Sequence, residues 1–344
     1  LHALMAGTPA VTGTLTGETM MPVVPMFHVN AWGQPYYAPL VGAKLVLPGP
    51  KLDGESLYNL IQAESVSNTA GVPTIWLNLL KHTREVGGNL DSLRNVIIGG
   101  SAAPGAMIRE FEDDYQTNVI HAWGMTEMSP LGSAGVLAPH LMHSTSAEEQ
   151  FEMKQKQGHR VFGVDMRIVN DDEEPQPHDG TTRGHLVVRG PWIISSYYNN
   201  HDANDKAFTK EGWFYTGDIA TLDENNILQL VDRSKDVIKS GGEWISSIDL
   251  ENEAVGIPGV VEAAVIGVAH DKWGERPVLI LVPQDSDNPP SEDSVRDFLG
   301  TRIAKWWVPD LIAFKDEIPH GATGKILKAE LREEFRDALA GATD

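Results

Sequence analysis

Three stretches hold residue types that chemistry needs. PHGATGKILKAELRE (319–333) sets glycines beside Lys325, a combination that can cradle phosphate. It lacks the spacing of a complete Gly…Gly-Lys-Ser/Thr loop, so a P-loop is excluded. HAWGMTE (121–127) ends in Thr126-Glu127, which on its own reads as a capping pair. VDRSKDVIKSGGEWIS (231–246) places basic residues ahead of Gly241-Gly242 in an acidic chain. Taken alone it reads as an exposed turn in which glycine supplies backbone angles that other residues resist.

The elements around these stretches give them a place. MMPVVPMF (20–27), AKLVLPG (43–49), NTAGVPTIW (68–76), NVIIGG (95–100) and NVIHAWGMTE (118–127) read as strands or strand-turn units. Leu57, Leu60 and Ile61 fall at helical spacing, a second helix is predicted across WLNLLKHTRE, and a third after SAAPG. Alternating strands and helices predict an α/β architecture with a parallel sheet. Ligands of such sheets bind beyond the carboxyl ends of strands, where Gly99-Gly100 and Gly124–Glu127 fall. After about residue 160 the texture becomes β-rich, with an acidic, proline-bearing loop over 171–182. From 248 onwards helix, strand, strand, helix and closing helix predict a compact α+β domain.

Bulk composition narrows the function. The 344 residues carry a formal charge of −21, which argues against a nucleic-acid surface and against a polybasic membrane patch. There is no cysteine, so disulfides, thiolate nucleophiles and cysteine-based zinc sites are excluded. No apolar run approaches the roughly 20 residues of a membrane span. LHALMAGTPAVTGTLTGETM lacks a basic leader region and an initiator methionine. A cytoplasmic location is expected.

In their order, GGSAAP (99–104), HAWGMTE, GWFYTGDIA (212–220), VDRSKDVIKSGGEWIS and PHGATGKILKAELRE resemble the adenylate-forming acyl-CoA synthetases. PMFHVNAWGQPYYAPLVGAKLVLPG (25–49) is most similar to the fatty-acyl-CoA branch, and the likeness runs over essentially the whole chain. It implies the remainder of a large multi-sheet α/β adenylation domain (1–160), a small β-rich subdomain (161–234) and a mobile α+β lid (235–344) hinged near Lys235. It also implies ligation of a carboxylic acid to coenzyme A through an acyl-adenylate, with ATP, Mg²⁺ and coenzyme A as reactants. A medium- or long-chain fatty acid is the expected substrate, with 3-methylthiopropionate or another short acid as the alternative.

The resemblance assigns roles residue by residue. Thr126 contacts phosphate, Glu127 holds the metal and Lys325 neutralises charge during adenylation. Gly99, Gly100, Ser101 and Ala102 form the wall around adenine, Trp123 and Gly124 lie against the base, and Asp218 and Arg233 hold the nucleotide. Lys239, Gly241, Gly242, Glu243 and Trp244 face the coenzyme A side. His28 and Trp32 line the acyl pocket. Core packing is the plainer account of Trp32 and Trp123.

One departure stands out. The family's Thr/Ser/Gly-rich phosphate loop ending in lysine has no counterpart here, and residue 1 aligns just after it. The chain is therefore expected to be an N-terminally truncated fragment of doubtful activity, from a parent whose dimer surface would lie upstream. Two other functions stay open: an adenylation module that loads a carrier protein, and a nucleotide-binding module without catalysis.

Overall fold

Short apolar runs between turn residues become strands, and the intervening helices return the chain to start the next strand in the same direction. The computed structural model describes residues 1–8, 11–321 and 325–341. In it β1 (Thr19–Pro22), β2 (Lys44–Leu45), β3 (Asn68–Gly71), β4 (Asn95–Ile98) and β5 (Asn118–Gly124) run parallel in the order β2-β1-β3-β4-β5. The helix Gly54–Glu64 starts where the Asp53 carboxylate accepts the Ser56 amide at 2.9 Å. It buries Leu57 and Ile61 against Trp76, Leu79 and Leu80 of the helix Pro73–Glu85. Each such side chain contributes about 1.5–3 kcal/mol when fully buried.

Beyond β5 the sheet turns antiparallel. The strands β6 (Leu131–Ala134), β7 (Gly158–Arg160), β8 (Asp165–Val169), β9 (Gly184–Arg189), β10 (Phe214–Leu222) and β11 (Ile227–Arg233) extend it in the order β6-β7-β11-β10-β9-β8. The β-rich texture after residue 160 thus continues the same eleven-stranded sheet.

The chain divides into two compact units: Leu1–Thr216 with Ala220–Leu230, and Gly217–Ile219 with Val231–Asp344. The second unit has its own sheet: β12 (Ile238–Ser240), β13 (Glu243–Ile245), β14 (Val260–His270), β15 (Gly274–Pro283) and β16 (Leu311–Phe314). Alternation along β14 sends Ala263 and Val265 into one core with Leu250 and Leu299, and Ala264, Ile266 and Val268 into another with Leu331. Among the described residues no helix is long and apolar enough to cross a membrane.

Two polar devices position the first unit's strand ends. At the amino ends, in-register asparagines form a chain. Asn68 Nδ2 donates to Glu18 at 2.8 Å, Asn95 Nδ2 to Asn68 Oδ1 at 2.8 Å, and Asn118 Nδ2 to Asn95 Oδ1 at 2.9 Å. Near the carboxyl ends, His121 of β5 is buried beneath the loop that follows β4. Its Nδ1–H donates to the Gln155 carbonyl at 3.0 Å, leaving Nε2 to accept the Ala103 amide at 3.4 Å. Burial lowers its pKa to about 4, while hydrogen bonds to the Gln155 and Ser101 backbone oppose that shift.

Each device makes a prediction. Asn95→Leu leaves the buried Asn68 side-chain carbonyl oxygen unsatisfied and removes the bond from Asn118, and should destabilise the protein by about 1–3 kcal/mol, read from urea midpoints. For His121, the folded pKa lies below the ordinary 6.5. Its contribution is therefore fully present above pH 6.5 and is lost as pH falls towards 4. Between pH 7.5 and 5.0 the parent should lose about 2 kcal/mol more stability than His121→Gln. Equal losses would show that His121 is not the acid-sensitive group. His2, also lowered to about 4, chiefly by burial, is common to both proteins and cancels.

Candidate active site

The first unit gathers its expected residues at the carboxyl ends of β4 and β5. Gly99 is buried, while Gly100 (φ +85°) and Ser101 are exposed and Ala102 is half-buried. A Cβ at Gly99 would lie 3.0 Å from the Ala122 carbonyl oxygen and 3.2 Å from Trp32 Cη2. The missing side chain is what lets the Trp32 indole lie against the strand end. Trp32 itself ends a run of four non-glycine residues, Val29 to Trp32, whose φ angles are +48° to +54°. His28, half-buried, precedes this left-handed turn and Gly33 (φ +77°) follows it.

At the end of β5, Trp123 is buried in the core, and a Cβ at Gly132 would come within 2.5 Å of its ring. Gly124 meets a harder constraint: a Cβ there would sit 2.1 Å from the Pro130 carbonyl oxygen. That oxygen accepts the Met125 amide at 2.9 Å and closes the loop on itself. Inside this closed loop, Thr126–Met128 makes one 3₁₀ turn with Thr126 exposed and Glu127 half-buried. The segment 190–198 holds the loop from outside. Ile194 N–H donates to the Glu127 carbonyl at 2.9 Å, Ser129 Oγ to the Trp192 carbonyl at 3.0 Å, and Tyr197 Oη to Glu127 Oε1 at 2.9 Å. Glu127 Oε2 has no hydrogen-bond donor among the described residues.

The second unit brings together three residues distant in sequence. Arg233 Nε lies 3.0 Å from Asp218 Oδ1, whose side chain is only 5% exposed. Lys325 is their neighbour. Loss of hydration lowers its pKa from the ordinary lysine value, the Arg233 cation lowers it further, and Asp218 opposes both. Thr323 and Gly324, which precede it in the TGK stretch, lie outside the described residues.

Lys235 is exposed in the turn between β11 and β12. The paired strands that follow explain the double glycine locally. Ser240 pairs with Glu243 and Lys239 with Trp244, so Gly241 (φ +60°) and Gly242 (φ +87°) are the two central residues of a tight hairpin. Positive φ at both positions is the type I′ requirement. Lys239 and Glu243 are exposed, whereas Trp244 packs on Ile219, Val231 and Val237.

A buried ionic chain backs this surface. Ser247 N–H donates to Asp232 at 2.6 Å, Lys328 Nζ to Ser247 Oγ at 2.6 Å, and Lys328 pairs with Glu251 at 2.7 Å. Burial raises the pKa of both carboxyls, and Lys328 opposes it.

Sequence reasoning passed over Tyr197 and His121. His121 stands inside a quoted motif, but nothing in its neighbours shows that it is buried. Tyr197 lies 70 residues from the carboxylate it touches, and no local pattern reports such a contact.

Comparison with known proteins places the chain in a family. The family model for AMP-binding enzymes matches residues 2–198, and that for the AMP-binding enzyme C-terminal domain matches 249–325. The chain is 50% identical over 342 residues to a 3-methylmercaptopropionyl-CoA ligase of Ruegeria lacuscaerulensis, covering 99% of this chain and 62% of that protein. It is 46% identical over 340 residues to a medium-chain-fatty-acid–CoA ligase of Ectopseudomonas oleovorans, covering 98% and 61%. An o-succinylbenzoate CoA synthetase of Bacillus subtilis, solved with its acyl-adenylate intermediate, superposes with a TM-score of 0.81 at 26% identity, covering 96% and 63%. The chain thus spans about three-fifths of the length of these relatives. With one model matching more than half of its residues and a second matching its C-terminal part, the chain belongs to the AMP-binding enzyme family.

Proposed function

We propose that the protein is an AMP-forming acid–thiol ligase that joins a short carboxylic acid, of the 3-methylmercaptopropionate kind, to coenzyme A. The observation that carries the ligase reading is the meeting of Asp218, Arg233 and Lys325. A buried carboxylate able to accept two ribose hydroxyls lies beside two cations suited to phosphate.

In the first step a carboxylate oxygen of the acid bonds to the α-phosphorus of ATP, and the bond to the β-phosphate oxygen breaks, releasing pyrophosphate. Lys325 stabilises the charge that develops on the α-phosphate, and Arg233 and Asp218 hold the nucleotide. Gly99, Gly100, Ser101 and Ala102 leave room for adenine beside Trp123 and Gly124. Thr126 and the open oxygen of Glu127 are hard donors that fit Mg²⁺. One carboxylate together with substrate phosphates is a usual way of holding that ion. When bound, that ion supplies charge neutralisation at the phosphates. In the second step the thiol of coenzyme A attacks the acyl carbon and AMP leaves. In the hairpin with Lys239, Glu243 and Trp244, Gly241 lies against the Trp273 indole and Gly242 faces open space, which gives the thiol a close approach to the backbone. Lys235 is the pivot that exchanges Lys325 for this hairpin.

The acid is assigned from the Trp32 indole, which lies against Gly99 at the β4 end, and from the relatives. Two of the relatives, at 50% and 48% identity, are named 3-methylmercaptopropionyl-CoA ligases. This sets the short acid ahead of the fatty acid expected from the 25–49 segment. The medium-chain relative at 46% identity keeps the longer acid as the competing reading. Transfer to coenzyme A rather than to a holo carrier protein separates the ligase from a carrier-loading module. Nucleotide binding without pyrophosphate release would mark a non-catalytic module.

Two outcomes test these assignments in the natural protein. Across acids of three to sixteen carbons, short and thioether acids should turn over best. Trp32→Ala should shift the preference to longer chains with little change in KM for ATP. Preference for twelve or more carbons in the parent would reverse the substrate reading. Lys325→Ala should slow pyrophosphate release about 10²–10³-fold, as loss of one preorganised charge partner does. It should spare thioester formation from supplied acyl-adenylate. Equal slowing of both steps would remove Lys325 from its role.

A further inference from the structure

The Glu127 carboxylate is held by a residue from a distant loop, and we infer that Tyr197 is a positioning residue that fixes Glu127 for metal binding. The inference rests on the metal role proposed above for Glu127. A glutamate side chain has three rotatable bonds, and ordering it costs up to about 2 kcal/mol. Here Tyr197 Oη donates to Oε1 at 2.9 Å, while the Ile194 amide donates to the Glu127 main-chain carbonyl at 2.9 Å. Both the backbone and the side chain of Glu127 are therefore fixed from one segment. With Oε1 taken, Oε2 is the oxygen presented to an ion.

Tyr197 is itself secured. Its amide donates to Asn204 Oδ1 at 2.6 Å, and Asn204 Nδ2 returns a bond to its carbonyl at 3.0 Å. Its ring packs at 6.5 Å from that of Phe214. These contacts do not involve the hydroxyl, so removing the oxygen separates positioning from packing. An outer hydrogen bond to a metal ligand commonly accounts for about 10–100-fold in metal affinity.

The test uses Tyr197→Phe and Glu127→Gln in the natural protein, with thermal midpoints to confirm that both fold. Mn²⁺ binding in the presence of ATP is followed by the electron paramagnetic resonance signal of free Mn²⁺, and pyrophosphate release is followed across Mg²⁺ concentrations. Tyr197→Phe should weaken Mn²⁺ binding about 10–100-fold and raise the half-saturating Mg²⁺ by a similar factor. Its kcat should recover at high Mg²⁺, whereas Glu127→Gln should not recover. If Tyr197→Phe leaves both metal readouts unchanged while Glu127→Gln alters them, the positioning role is overturned and Tyr197 is a packing residue. If Glu127→Gln also leaves both unchanged, the metal role of Glu127 fails and the inference falls with it. Should Tyr197→Phe not fold, Asn204→Ala, which frees the Tyr197 backbone, is judged by the same two readouts.

Discussion

The register of β3, β4 and β5 is the constraint on which the first unit's chemistry depends. A slip of one residue in a strand exchanges its two faces. It would carry Gly99 away from Trp32 and Gly124 away from Pro130. The asparagine chain from Glu18 through Asn68 and Asn95 to Asn118 ties matching positions of the three strands together at their amino ends. The opposite ends are then free to carry loops of unusual geometry. Polar pairing sits at one end of the strands, and the adaptable backbone of the candidate site at the other.

The second unit solves a different problem. Its cationic residues approach one another, which is unfavourable unless their positions are held. Arg233 is paired with Asp218. Immediately after it the chain runs into Lys235 and then Asp236, which Arg332 of the closing helix grips at 2.7 Å. Lys328, three residues beyond Lys325, is bonded to Ser247 and Glu251. The chain that follows Lys235 is thereby anchored to the helix that follows Lys325. Breaking a buried pair of this kind typically costs about 3–5 kcal/mol.

Much of this was legible in the sequence, for reasons that can be named. The helices at 54–64 and 73–85 announce themselves by apolar spacing, while their exact starts, at Asp53 and Pro73, are seen only in the structure. Strands β4, β5, β14 and β15 hold apolar runs bounded by turn residues. The glycines of the site were visible because their constraints are local or sit in ordered motifs. What escaped was long-range. The continuation of one sheet through eleven strands depends on edge pairings that no window of sequence contains. The hold of Tyr197 on Glu127 depends on the segment 190–198 returning to a loop 70 residues earlier. Gly241-Gly242 was the reverse case. Its first and simplest reading, a turn needing positive φ, is what the hairpin shows.

The left-handed turn at Val29–Trp32 has a consequence for how the proposed acyl pocket can change over time. Each non-glycine residue of that hand costs about 1–2 kcal/mol relative to the ordinary one, and valine is among the least tolerant of it. The turn persists because its surroundings compensate, including the contact of Trp32 with Gly99. Side chain and backbone are therefore one inherited unit. Replacing the indole changes the volume of the pocket, and it also releases a backbone that was held against its preference. On the proposed role of Trp32, substrate range should evolve in jumps, through linked changes at 29–33 and 99, and not by the gradual trimming of a single side chain.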